Sequence, residues 1–117
     1  MKQGELTNLE WKERFTYVKN VPFDENDLKC KGARFQVVKF EPHTSIEPHY
    51  HKRTTEIFYI REGNGKIMLN KEQYDCRTDT FFLCEPGDVH SFINDTDDDL
   101  VILIFKTNEE PDDIYWS

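Results

Sequence analysis

Between Arg34 and Lys106 the apolar residues fall in short runs, each closed by polar, Gly or Pro positions. Phe35–Phe40 is β-branched and aromatic and stops ahead of Pro42; Glu56–Ile60, Lys66–Leu69, Gln73–Cys76, Thr80–Cys84, Val89–Ile93 and Leu100–Phe105 follow. Such runs predict β-strands, and their recurrence roughly every 8–12 residues predicts an all-β sandwich or closed barrel rather than alternating strands and helices. Glu62-Gly63-Asn64-Gly65 predicts a hairpin turn.

Two runs depart from inside/outside alternation. Leu100–Phe105 and Ile57–Ile60 are apolar on both faces, which predicts that water is kept from both sides. In a small barrel the cover for the outer face is the N-terminal arm, the aromatic tail or a second subunit. A homodimer is the expectation, since outward apolar strands commonly mediate self-association.

Outside this region the pattern weakens. In residues 1–33, Thr7 and Glu10 suit a capping box opening a short helix that carries Trp11 and Phe15, while Phe15–Val18 suits a strand equally well. Residues 107–117 form an acidic tail ending in Ile114, Tyr115 and Trp116. The chain therefore divides into an arm (1–33), a barrel (34–106) and a tail (107–117), and its 117 residues make one domain.

Charge narrows the partners. A net charge of −8 argues against general affinity for nucleic acid, although a locally basic pocket could take an anionic metabolite. No leader-like or membrane-spanning apolar stretch is present, so a cytoplasmic protein without membrane contact is expected. Cys30, Cys76 and Cys84 are odd in number and form no CxxC pair.

The candidate chemistry lies in His49-Tyr50-His51 and Glu56. In an extended strand His49 and His51 project to one face, and a turn or bulge over Lys52–Thr55 resets the phase so that Glu56 also points inward. His90 follows Pro86-Gly87-Asp88-Val89, a turn able to deliver it to the same place. Three imidazoles and one carboxylate suit one divalent ion, with Fe, Mn, Ni, Zn, Co and Cu undistinguished. A six-coordinate ion would keep two positions for substrate or dioxygen, whereas tetrahedral zinc would be nearly closed. A lone histidine is usually structural, and His43 takes that role. Tyr50 should point outward. Phe58 and Phe92, two residues from Glu56 and His90, are candidate pocket walls, with ordinary core packing as the plainer account. Cys84 suits a buried inert thiol, and Lys52, Arg53 and Arg61 a solvated surface rather than substrate steering.

These residues resemble the cupin superfamily. Its first motif, Gly-x5-His-x-His-x3–4-Glu-x6-Gly, is matched by His49, His51, Glu56 and Gly63, with His43 at the leading glycine. Its second, Gly-x5-Pro-x-Gly-x2-His-x3-Asn, is matched by Gly87, His90 and Asn94; Asp79 stands at the leading glycine and Glu85 at the proline. The resemblance implies a small jelly-roll barrel of two antiparallel sheets, often dimeric, with an ion near its mouth. It leaves the reaction open. The expected function is a small metal-dependent enzyme of dioxygenase or isomerase/lyase type acting on a small polar metabolite. The alternative is a non-catalytic module that binds or senses a small-molecule ligand, and a metal-free epimerase of related fold is disfavoured.

Overall fold

The computed structural model describes all 117 residues. Twelve strands follow in order: β1 (Lys12–Arg14), β2 (Tyr17–Phe23), β3 (Arg34–Phe40), β4 (Thr44–Ser45), β5 (His49–Tyr50), β6 (Thr55–Glu62), β7 (Asn64–Leu69), β8 (Glu72–Arg77), β9 (Phe81–Cys84), β10 (His90–Asn94), β11 (Leu100–Thr107) and β12 (Tyr115–Trp116). One sheet has the order β1-β2-β3-β11-β6-β9 and the other β12-β5-β10-β7-β8, with β4 beside β10. All strand pairings are antiparallel, giving the jelly-roll architecture. No helix is long and apolar enough to cross a membrane.

Each of the seven apolar runs coincides to within two residues with a strand, whose alternate side chains point into the core; β6 and β11 carry apolar residues on the outer face as well. Val38 and Phe40 of β3, Phe58 and Ile60 of β6, and Leu100, Ile102 and Ile104 of β11 meet Ile67 of β7 and Phe92 of β10 in one buried cluster. Phe92 packs edge-on against Phe58 at 4.9 Å between ring centroids, joining the two sheets.

The glycine pair does not make the expected hairpin. β6 pairs with β11 and β9, and β7 pairs with β10 and β8, so Glu62–Gly65 is a corner where the chain passes from one sheet to the other. Gly63 has φ +87°, and a Cβ there would lie 2.2 Å from the Asp99 carbonyl oxygen. The true two-residue hairpin joins β7 to β8, where Asn70 and Lys71 have φ of 51° and 74°, as a type I′ turn demands.

In the arm, only a single 3-10 turn forms at Leu6–Asn8, and Trp11 and Phe15 do not share a helix. Phe15, at φ 53°, and Thr16 instead turn β1 into β2. The arm folds back over the outer face of the first sheet: Asn20 Nδ2 donates to Glu10 O at 2.8 Å, and Lys39 Nζ lies 4.5 Å from the Trp11 ring centre. Val37 and Val101 are buried on this face, whereas Ile57, Phe81, Leu83 and Phe105 remain exposed. The aromatic tail does not cover this face. It pairs with β5 at the edge of the second sheet.

The corner yields a direct test. Gly63→Ala combines left-handed backbone strain with a steric clash and should cost about 3 kcal/mol, measured by urea unfolding.

Candidate metal centre

β5 is only two residues long, yet it fixes the first histidine. His49 stands directly opposite His90 of β10 on one side and Trp116 of β12 on the other. His51 follows just beyond the strand and is tied to the second motif, because Gly87 N donates to His51 O at 2.7 Å. The next three residues turn around the Asp113 carboxylate, which accepts from the N–H groups of Lys52, Arg53 and Thr54 at 2.8, 3.0 and 3.1 Å and from the Thr54 hydroxyl at 3.1 Å. Converging N–H groups of this kind form an anion-binding nest. The turn shifts the phase, so β6 begins with Glu56 facing inward, opposite Cys84 of β9 and Lys106 of β11.

His49, His51, Glu56 and His90 are thereby brought together, and all four are buried. Ring centroids are 4.3 Å apart for His49–His90, 5.3 Å for His51–His90 and 5.5 Å for His49–His51. One potential ligand atom from each histidine lies within 4.8 Å of the others. Every Nδ1 lies against a backbone carbonyl: His49 against Glu47 O at 2.9 Å, His51 against Asp113 O at 2.5 Å and His90 against Asp88 O at 3.0 Å. A carbonyl only accepts, so each Nδ1 carries a proton and each Nε2 is left with its lone pair, the tautomer a metal-binding histidine needs.

Glu56 meets those lone pairs. Its Oε1 is 2.8 Å from His51 Nε2 and 3.3 Å from His90 Nε2, yet it is fully buried and accepts no hydrogen bond of good geometry. An electron pair on each side of so short a gap requires a cation between them. A proton can fill that role: burial opposes charge on His51, but the Glu56 carboxylate outweighs it and raises the histidine's pKa. A divalent ion answers the same demand and satisfies all three rings. Burial also opposes the Glu56 charge, but His51, His90 and Lys106 hold its pKa below the ordinary carboxylate range. His49 is pushed down to about 4, first by burial and then by the neighbouring His90, which keeps it a neutral donor.

The four residues open on a cavity of about 860 Å3 between the sheets. Phe58 and Phe92 line it and also belong to the core cluster, so pocket wall and core are the same surface here. Cys84 Sγ lies 3.2 Å from His90 Nδ1, the nitrogen already facing Asp88; burial first, then the Glu56 charge, raise its pKa and keep it a thiol. Tyr50 stacks on Tyr115 at 5.3 Å. Lys52 lies over the Tyr115 ring, Arg53 pairs with Glu110 at 3.5 Å, and neither these two nor Arg61 lines the cavity. Asp113, and the wall residues Lys19, Arg34, Gln36 and Lys106, do not stand out in the sequence. Asp113 offered no signal, being one acid in an acidic tail. The inward Lys19 was visible only as a polar residue between Val18 and Val21.

The two missing motif glycines have a backbone explanation. His43 has φ 59° and Asp79 φ 70°, so both adopt the left-handed conformation that glycine takes freely. His and Asp are among the side chains that tolerate it best. His43 Nε2 is also 2.7 Å from Asp97 Oδ1.

The Asp113 nest is testable. Burial raises the Asp113 pKa, but the three N–H groups and the Thr54 hydroxyl outweigh it, leaving a folded-state value below 3.8. Its contribution to stability is therefore present above the unfolded-state value and is lost as the pH falls through the folded-state value. Asp113→Asn should cost about 2 kcal/mol at neutral pH. The gap from wild type, followed by chemical denaturation, should narrow once the pH drops below 3.8.

The Cupin domain family matches residues 36–106, more than half of the chain. A sequence comparison with curated proteins finds no significant match. Among solved structures, the polyketide cyclase RemF from Streptomyces resistomycificus superposes with a TM-score of 0.84 at 19% identity, over 99% of this chain and 84% of that one. A predicted oxalate decarboxylase from Thermotoga maritima gives 0.79 at 21% identity, over 88% and 96%. The Cnp3 cupin domain of Schizosaccharomyces pombe gives 0.77 at 15% identity, over 90% and 72%. At such identities the likeness is one of fold. The family match, the two antiparallel sheets and these neighbours together make the chain a member of the cupin superfamily.

Proposed function

We propose that the chain is a small metal-dependent enzyme in which His49, His51, Glu56 and His90 hold one divalent ion beside a cavity for a small polar metabolite. The observation that carries this is the ring orientation: three backbone carbonyls hold the three Nδ1 atoms, and two of the Nε2 atoms face a buried carboxylate oxygen that accepts no hydrogen bond of good geometry. Bound there, an ion of the Fe, Mn, Ni, Zn, Co or Cu type would supply Lewis-acid activation of a substrate oxygen or, if redox-active, oxygenation. The protein's own residues do the rest. Glu47, Asp113 and Asp88 orient the rings through their carbonyls, and Phe58 and Phe92 form an apolar wall that keeps water from that side of the site.

A polyketide cyclase and a predicted oxalate decarboxylase with the same fold support small-molecule chemistry in a barrel of this kind. Oxygenation and isomerase or lyase chemistry are both compatible with this donor set. A non-catalytic binding module is the alternative, and it is separated by the absence of turnover. Three free cysteines accord with a cytoplasmic setting.

The metal test uses protein purified without added metal, analysed by elemental analysis and by oxygen uptake against small acids and phenols. Near-stoichiometric ion is expected in the wild type, with a higher melting temperature on metal addition through mass action. His90→Ala and His49→Ala should lose the ion while keeping a β-type circular dichroism spectrum. A wild type that takes up no ion when offered each of these metals refutes the proposal.

A second copy of the chain is the proposed cover for Ile57, Phe81, Leu83 and Phe105. Phe81 and Leu83 lie on β9, Ile57 on the adjoining β6 and Phe105 on β11 beyond it, and β9 is an edge strand whose free backbone groups can pair with its own symmetry mate. Phe81→Lys should convert a dimer into a monomer in sedimentation equilibrium, and a wild type that is monomeric at all concentrations overturns the idea.

A further inference from the structure

The inward side chains of the first sheet form rows across the strands. One row runs Arg34–Lys106–Glu56–Cys84, and the next Gln36–Ile104–Phe58–Phe82. Lys19 of β2 stands opposite Val38 beside them. Lys19, Arg34, Gln36 and Lys106 all line the cavity shared with the histidines. They lie on inward positions that the core alone would fill with apolar residues.

Two of them lack partners. Gln36 is 3% exposed, its side chain makes no hydrogen bond, and its Oε1 is fully buried. An amide oxygen left in that state is destabilising, and a ligand hydroxyl would relieve it by donating to it. Lys19 is half-buried and makes neither an ion pair nor a hydrogen bond. Burial first, then Lys106, Arg34 and Arg14, lower its pKa, with Glu109 opposing them. Positive charge is therefore concentrated around the Lys19 ammonium.

No acid lies within ion-pair distance of Lys19. Glu109 is shared between Arg34 at 3.0 Å and Lys106 at 3.1 Å, and Lys106 also lies 4.0 Å from Glu56, which already faces the histidines. Of the other acids around the cavity, Asp24, Glu25 and Asp113 accept from backbone N–H groups, Glu110 pairs with Arg53, and Asp112 forms no ion pair with the wall cations.

We infer that this wall is the recognition end of the ligand site and takes a small hydroxylated acid, with Lys19 and Lys106 facing its carboxylate or phosphate and Gln36 Oε1 accepting from its hydroxyl. That the ligand's other end meets the ion rests on the proposed function. Binding of the anion to the wall does not.

The test is isothermal titration of the full chain, chelator-treated and metal-loaded, with tartrate, succinate, glycerol 3-phosphate and threitol. Tartrate or glycerol 3-phosphate should bind, the tighter of the two telling carboxylate from phosphate recognition, and uncharged threitol should not. Lys19→Met and Lys19→Gln, which keep the stem length or polarity at a half-buried position, should each weaken the better anion about ten-fold. Gln36→Leu should erase the preference for tartrate over succinate. Metal content should be unchanged in all three. Threitol binding as tightly as tartrate, or Lys19 variants that bind anions like the wild type, would overturn the inference. Lys19-dependent anion binding by a chain that takes up no metal refutes the metal proposal alone, and a metal-loaded chain that binds neither anion refutes this one alone.

Discussion

A carboxylate removed from water has to be compensated, and Glu56, 3% exposed, sets that demand at the centre of this fold. An isolated buried charge costs several kcal/mol even after relaxation. Its compensation comes from His51, His90 and Lys106, delivered by three separate parts of the chain. β10 and β11 therefore have to sit in one register relative to β6, since a slip of one residue would send His90 or Lys106 to the opposite face. The core cluster holds that register, with Phe58 packed against both Phe92 and the His90 ring.

The C-terminal segment completes the arrangement. Asp113 uses its carboxylate to shape the turn between His51 and Glu56 and its carbonyl to fix the His51 tautomer, so one residue positions two candidate ligands. Trp116 pairs with His49 across β12 and β5, and its ring also meets Phe15 edge-on at 5.0 Å. The tail thus closes the histidine end of the barrel and connects it to the β1–β2 turn of the arm.

Short apolar runs closed by turn residues made β3 and β6 to β11 legible, whereas β2, interrupted by Lys19, Asn20 and Pro22, showed only at Tyr17 and Val18. β4, β5 and β12 are two residues each, too short to carry a period, and exist only because a partner strand lies beside them. The phase reset between His51 and Glu56 was legible as a necessity, since the odd spacing left no other way to turn Glu56 inward. Its cause was not, because Asp113 acts across some sixty positions of chain. Glu62–Gly65 shows a different limit. Glycine at positive φ serves a hairpin and an inter-sheet corner equally, and only the pairing of β7 with β10 rather than β6 tells them apart. The departures at His43 and Asp79 are instead conservative in backbone terms, since both keep the left-handed φ.

The chain as a whole is acidic, yet Lys19, Arg34 and Lys106 gather on one stretch of the cavity wall, and distance decides which of the two a ligand feels. A net charge of −8 repels anions from afar. Salt screens that repulsion over about 8 Å at physiological ionic strength, whereas charges inside a partly dry cavity are screened far less. Many of the acids are exposed or already bonded, while Lys19 and Lys106 stand on the inner wall. A small anion at that stretch of wall therefore feels the adjacent cations more strongly than the screened acids of the surface. The inferred anion wall thus lies a few residues along the sheet from a carboxylate that itself calls for a cation.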